Sequence, residues 1–218
     1  MQQILVYGDS LSWGIVPGTR QRLEFAQRWP GVMEIALRAA GHDVRVIEDC
    51  LNGRRTVWDD PFKPGRNGLQ GLAQRIEIHS PLTLVMLVLG TNDFQCMHDN
   101  TPFLSAQGLA ALINAIRQAP LEPGMAIPPI LVVAPPAIVQ PKGPIAGKFE
   151  GASLKSAGLA AAYAELAQQL DCAFFDANSV TPASTVDGIH LDADQHMRLG
   201  QALADWFGSW SVRTKPHA

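Results

Sequence analysis

The sequence predicts a three-layer α/β/α sandwich built on five parallel strands. Two observations carry this reading. Short apolar runs rich in β-branched residues alternate with segments of helical periodicity, and strands alternating with helices pair in parallel through right-handed crossovers. The middle run, Leu84–Leu89, is apolar throughout, as a strand covered on both faces must be.

Ile4–Tyr7 is expected to be the first strand. Trp29, Val32/Met33, Ala36/Leu37 and Ala40 then recur at helical spacing, with Gly41 as the stop. Val44–Ile47 is the second strand, a helix through Leu69–Ile78 follows, and Leu84–Leu89 is the third strand. Leu109, Leu112/Ile113 and Ile116 form one helical stripe, and Leu159, Tyr163, Leu166 and Leu170 another. Between and after them lie the fourth and fifth strands, Ile130–Val133 and Ala173–Phe175. Asp192 and Gln195 resemble a capping box for a last helix that ends near Gly208, packed by Trp206 and Trp210. A single domain over residues 1–211 and a frayed tail, Val212–Ala218, complete the expectation. The whole reads as a flavodoxin-like order.

Composition narrows the function classes. The 218 residues suffice for one core without staples. Hydrophobic residues at 47% and charged residues at 17% exclude wholesale disorder, and so few charges leave apolar surface that a subunit interface would cover. A homo-oligomer is therefore expected. The net charge of −3, without a Lys/Arg run, argues against nucleic acid. Cys50, Cys96 and Cys172 lie far apart with no CxxC, and read as small buried hydrophobes in a reduced cytosol. The start of the chain lacks a basic segment, and no apolar run approaches the roughly 18 residues of a membrane helix. A soluble cytoplasmic protein without membrane contact is expected.

In parallel sheets, sites form at the carboxyl ends of the strands. The informative loops are therefore Gly8–Gln27, Leu51–Gly68, Gly90–Ser105, Pro135–Gly151 and Asp176–Leu191. The Pro/Gly-rich fourth loop reads as a pocket wall or a subunit contact. Gly8-Asp9-Ser10-Leu11 directly follows the first strand. A serine there presents its hydroxyl as a nucleophile and its N–H as an oxyanion donor to one point. A plain strand-to-helix turn with a polar cap explains the tripeptide equally well.

Asp187-Gly188-Ile189-His190 precedes the last helix. A serine hydroxyl needs a base, histidine titrates in the right range, and a carboxylate on its other nitrogen fixes the tautomer. Capping of the helix is the alternative role for His190. Asn92, in Gly90-Thr91-Asn92-Asp93 after the third strand, offers an amide donor or an Asx turn. Gly53, in Asn52-Gly53 after the second, offers an unobstructed N–H or a turn. None is decisive alone. Together they form the parts list for acyl transfer.

In these blocks the sequence resembles the GDSL, or SGNH, hydrolase superfamily. Gly8-Asp9-Ser10-Leu11, Gly53, Gly90-Thr91-Asn92-Asp93 and Asp187-Gly188-Ile189-His190 match its four blocks in order, from residue 8 to residue 190. The resemblance implies Ser10 as nucleophile, His190 as base and Asp187 as its partner. It also implies an oxyanion hole of the Ser10 and Gly53 N–H groups and the Asn92 side chain, with no metal and no cofactor. Trp13-Gly14, Asp59-Asp60-Pro61, Arg66-Asn67-Gly68, Ala134-Pro135-Pro136, Phe149-Glu150-Gly151 and Phe174-Phe175-Asp176-Ala177 are similar to the small arylesterase/acyltransferase branch. Members of that branch cleave small acyl and aryl esters. Some form oligomers, octamers among them, whose narrow apolar entrance favours acyl transfer to alcohols or peroxide. The departures are Cys50, Arg54 and Arg55 around the second block.

Asp9, Leu11, Trp13 and Asn52 are expected around the substrate pocket, with Asp9 also supporting the turn. Ser12 is a rival nucleophile by proximity alone, and Asp192 a rival acid already explained by capping. Asp93 is read as structural, and His196 as facing away from His190 on the last helix. The chain has no G-x-S-x-G, GxGxxG, P-loop or HExxH. The expected function is a serine esterase for short-chain acyl and aryl esters, with acyl transfer as an added capacity. A carbohydrate O-deacetylase or thioesterase using the same triad is the rival within enzymes. A non-catalytic α/β binding protein is the rival outside them.

Overall fold

The computed structural model describes residues 1–214. The elements run β1 (Gln2–Gly8), α1 (Ser10–Trp13), α2 (Trp29–Ala39), β2 (Val44–Cys50), α3 (Leu72–His79), β3 (Leu84–Val88) and α4 (Pro102–Arg117). They continue with β4 (Ile130–Ala134), α5 (Ala152–Lys155), α6 (Leu159–Gln169), β5 (Ala173–Asp176) and α7 (Ala193–Thr214). The strands are all parallel, in the order β2-β1-β3-β4-β5. This is the flavodoxin-like order, with its switch point between β1 and β3.

Alternation along the strands divides the core into two layers. Leu5, Tyr7, Val85, Leu87 and Val132 point to one face, against Leu72 and Ile76 of α3, Leu109 and Leu112 of α4 and Tyr163 of α6. Ile4, Val6, Met86, Leu131 and Val133 point to the other, against Trp29 and Met33 of α2 and Leu203 and Phe207 of α7. β1 extends beyond its expected run at both ends, β2, β4 and β5 extend at their carboxyl ends, and β3 stops one residue short, at Val88, because the backbone ladder, rather than hydropathy, sets strand length. β2 is an edge strand, and its polar Glu48 and Asp49 stay in register with Val6 and Tyr7 of β1.

Local chemistry moves several boundaries. The second expected helix begins at Leu72 rather than Leu69. Asn67 Oδ1 accepts the Leu69 N–H at 3.0 Å, and Gly71 sits at φ +75° as N-cap. The last helix passes through Gly208 and reaches Thr214. Phe207 is buried there, the Trp206 and Trp210 rings stack at 5.7 Å, and Ser211 Oγ donates to the Gly208 carbonyl at 3.0 Å. Residues Val212–Thr214 of the expected tail are thus helical, and the rest of that expectation lies outside the described residues. The three cysteines are free, but Cys96 is exposed and Cys50 and Cys172 only half-buried, which corrects their reading as core residues. Among the described residues no helix is long and apolar enough to cross a membrane.

Candidate active site

β1 ends at Gly8, and the chain turns at once into the single helical turn α1. The Asp9 carboxylate caps that turn by accepting the Leu11 N–H at 2.9 Å, and Gly14, at φ +86°, closes it. Ser10 is therefore the first helical residue, a position whose N–H has no intrahelical acceptor. A side chain at Gly8 would lie 2.5 Å from Ser12 Oγ. Ser12 itself is sealed beneath the strand end, so it is no rival nucleophile.

The Ser10 hydroxyl lies 3.1 Å from His190 Nε2, and His190 Nδ1 lies 2.7 Å from Asp187 Oδ2. Asp187 Oδ1 accepts the N–H groups of Ile189 and His190 at 3.0 and 2.9 Å, and Oδ2 also accepts the Gly18 N–H at 3.1 Å. Burial alone would raise this carboxyl. The hydrogen bonds from the His190 ring and backbone, the His190 charge and the Ile189 N–H outweigh burial and hold it well below the usual carboxylate range. An ionised Asp187 accepting Nδ1–H leaves Nε2 as the lone-pair nitrogen that faces Ser10. Gly188, at φ +79°, makes the three-residue turn; a Cβ there would lie 2.3 Å from the Gln140 carbonyl oxygen. Asp192 is not the partner, since His190 Nδ1 is held by Asp187; the Asp192 N–H donates to Gln195 Oε1 at 2.7 Å at the start of α7. His196 faces α2 instead, accepting the Trp29 N–H at 3.2 Å, and burial pushes its pKa down to about 3.

Asn92 enters on the 3-10 turn Thr91–Phe94 after β3. Its Nδ2 donates to Asp9 Oδ2 at 2.8 Å, and its Oδ1 accepts from Gln95 Nε2 at 2.6 Å. One Nδ2 hydrogen remains for a substrate oxygen. Burial, opposed by the Leu11 N–H, the His190 charge and Asn92, pushes the Asp9 pKa up to about 6. Asp9 is thus a capping and positioning group beneath the site and lines no part of the cavity, contrary to expectation.

The two arginines beside Gly53 are now accounted for. Arg54 donates to the Gly8 carbonyl at 3.0 Å, pairs with Asp49 at 2.8 Å and stacks 3.8 Å above the Tyr7 ring. It clamps the Gly53 turn to the end of β1. Fully buried Arg55 pairs with Asp60 at 3.1 Å and donates to Gln95 Oε1, completing a polar chain that orients Asn92. Asp93 is structural as expected: it accepts the Thr56 N–H and hydroxyl at 2.9 and 2.8 Å and the Ser105 hydroxyl at 2.6 Å.

Ser10, Asn52, Gly53, Asn92, Asp187 and His190 share one cavity of about 340 Å³. Two further expected wall residues, besides Asp9, are elsewhere. Leu11 points into the core. Trp13 lies beneath the Arg22 guanidinium at 4.7 Å, because the chain reverses after Gly14 and pairs Ile15 with Arg22. Ile15 faces the cavity in its place, with Ile145 and Phe149 from the fourth loop. Arg20, Lys63, Lys142 and Lys148 complete the wall. The sequence marked their loops but held no periodicity to say which side chains turn inward.

Fold and site together define a serine acylhydrolase. The chain belongs to the GDSL-like lipase/acylhydrolase family, whose profile matches residues 6–199. It is similar to the aryl esterase of M. smegmatis in its inhibitor-bound form, at 36% identity, TM-score 0.90, and coverage of 96% of this chain and 99% of that one. A carbohydrate acetylesterase from Sinorhizobium meliloti is similar at 34% identity, TM-score 0.90, and coverage of 96% and 100%. An arylesterase of Vibrio mimicus is 30% identical over 118 residues, 54% of this chain. That match spans half the length of the Vibrio protein.

Proposed function

We propose that this protein is a serine esterase that hydrolyses short-chain acyl and aryl esters through an acyl-enzyme. The observation that carries the reading is the unbroken path from Ser10 Oγ to His190 at 3.1 Å and on to Asp187 at 2.7 Å, at a cavity also lined by Gly53 and Asn92. As His190 Nε2 takes the hydroxyl proton, Ser10 Oγ bonds to the ester carbonyl carbon. The carbonyl oxygen gains the negative charge, facing the N–H groups of Ser10 and Gly53 and the Asn92 amide. The carbon–oxygen bond to the alcohol then breaks, and His190 returns its proton to the leaving oxygen. Water, activated by the same histidine, attacks the acyl-serine and releases the acid.

The apolar side chains of the wall, Ile15, Ile145 and Phe149, offer contact to the carbon skeleton of an alcohol acceptor, so acyl transfer, to alcohols or peroxide, belongs to this reading. The Sinorhizobium relative, a carbohydrate acetylesterase, favours acetylated sugars as a second substrate class. Self-association belongs to it as well, supported by the low charge content of 17%; mass in solution tests this.

The test is an acyl-length series of 4-nitrophenyl esters, acetate to palmitate, with Ser10→Ala alongside. Turnover should peak from acetate to butyrate and fall on the order of 10⁶-fold in the variant. Equal turnover by the variant would refute the reading.

A further inference from the structure

The triad and oxyanion hole need no cation, yet four basic side chains line their cavity: Arg20, Lys63, Lys142 and Lys148. They come from three separate loops on a chain whose net charge is −3. Their carboxylate partners are few. Asp60 lies 3.8 Å from Lys148 but already serves Arg55 at 3.1 Å. Lys142 Nζ donates to the Thr185 carbonyl at 3.1 Å. Among the described residues no carboxylate stands within 4.0 Å of Arg20 or Lys63. Among the residues lining the cavity the acid is Asp187, and it is engaged by His190. Burial comes first in lowering both ammonium groups; Arg66 and Arg20 add to it at Lys63, and Arg55, Lys63 and Arg20 at Lys148, with Asp60 opposing at both.

Two of the four stand on the side of the base. Arg20 is two residues beyond Gly18, whose N–H bonds Asp187 Oδ2 at 3.1 Å. The Lys142 N–H bonds the Asp187 carbonyl at 3.0 Å. His190 must deliver its proton to the leaving oxygen, so the leaving group lies on this side. Ser10, Asn92 and His190 are buried at the floor, while Arg20, Lys63 and Lys142 are exposed at the mouth.

We propose that the cavity selects esters whose leaving alcohol carries an anionic group, a carboxylate or a phosphate, held by Arg20 and Lys142 with Lys63 and Lys148 adding to the field. This rests on the esterase reading above. A cleft lined by one sign of charge also concentrates such a substrate.

The test compares matched esters. One pair is 4-nitrophenyl acetate and 5-acetoxy-2-nitrobenzoate, the same ester with one carboxylate. The other is acetylglycerol and its phosphate monoester, read by acetate release. At low salt the anionic member should show a kcat/KM about tenfold higher in at least one pair, and that pair tells carboxylate from phosphate. The preference should shrink as NaCl rises from 50 to 500 mM. Arg20→Gln and Lys142→Gln should each lower the anionic-to-neutral ratio about 2- to 5-fold. Arg45→Gln, an exposed cation on β2, should leave the ratio unaltered.

Ser10-dependent turnover with no anionic preference in either pair, or a ratio unmoved by both variants, would overturn this inference and spare the esterase. Absence of Ser10-dependent turnover on all four esters would overturn both.

Discussion

Asp187→Asn isolates the electrostatic part of the triad, because the amide keeps the shape of the carboxylate and removes its charge. The amide oxygen is held at the Oδ1 position, where two backbone N–H groups point at 3.0 and 2.9 Å. The NH₂ group then occupies the Oδ2 position, facing His190 Nδ1 at 2.7 Å and the Gly18 N–H at 3.1 Å. Two donors cannot bond each other, so Nδ1 must accept, and the ring proton moves to Nε2 opposite Ser10. The base is then blocked in its resting state. The imidazolium formed during attack also loses its counter-charge. Unit charges 2.7 Å apart attract by about 6 kcal/mol at an effective dielectric of about 20. That corresponds to a factor on the order of 10⁴ in kcat, the scale known for a triad carboxylate replaced by its amide. The assay is kcat on 4-nitrophenyl acetate, with a thermal melt to show that the turn still folds. A loss below about tenfold in a folded variant would refute the assignment of Asp187 as the tautomer-setting group.

Three further expectations follow from the same geometry. Asn92→Ala removes the amide donor and should lower kcat by about 10²–10³; steady-state kinetics check it, and a change confined to KM would exclude an oxyanion role. Gly188→Ala forces a methyl to within 2.3 Å of the Gln140 carbonyl oxygen at φ +79°, so both Tm and kcat should fall, Tm by at least about 3 °C. A melt and an activity assay that both match wild type would show that the turn relaxes freely.

Asp93→Asn should stabilise the protein at neutral pH. Burial raises Asp93 from 3.8 to about 6 against the hydrogen bonds of Ser105 and Thr56, so the folded state holds its proton more tightly than the unfolded chain. Stability from this group is full below pH 4, declines between pH 4 and 6, and is lost above, on the order of 3 kcal/mol in all. The Asn side chain meets the same neighbours, since both hydroxyls can turn to accept. The variant should therefore match wild type at pH 4 and exceed it at pH 7 by urea denaturation; equal stability at both pH values would contradict the raised pKa.

The strands and the four chemical blocks were legible because both are written locally. A parallel sheet covered on two faces demands unbroken apolar runs, and Ile4–Tyr7 and Leu84–Leu89 supply them. The sheet order then fixes which loops meet, which is how Ser10 and His190, 180 positions apart, come within 3.1 Å. What stayed hidden depends on side-chain direction in irregular backbone. Trp13 lies three residues from the nucleophile and still turns away, because Arg22 comes back across an isolated bridge to cover its ring.

Gln95 carries no local signal at all. Its bond to Asn92 is local, but the anchor that fixes its own amide is Arg55, 40 positions earlier, which reaches it only once the second and third loops pack together. The same holds for the cations of the cavity wall. Scattered through the sequence, Arg20, Lys63, Lys142 and Lys148 look like ordinary solvated surface; folded, they converge on one cavity. Motifs report the chemistry of a bond because that chemistry needs few atoms in fixed roles. Substrate choice is spread over loop side chains that no period constrains, so in this protein the reaction is read from the chain and the specificity from the fold.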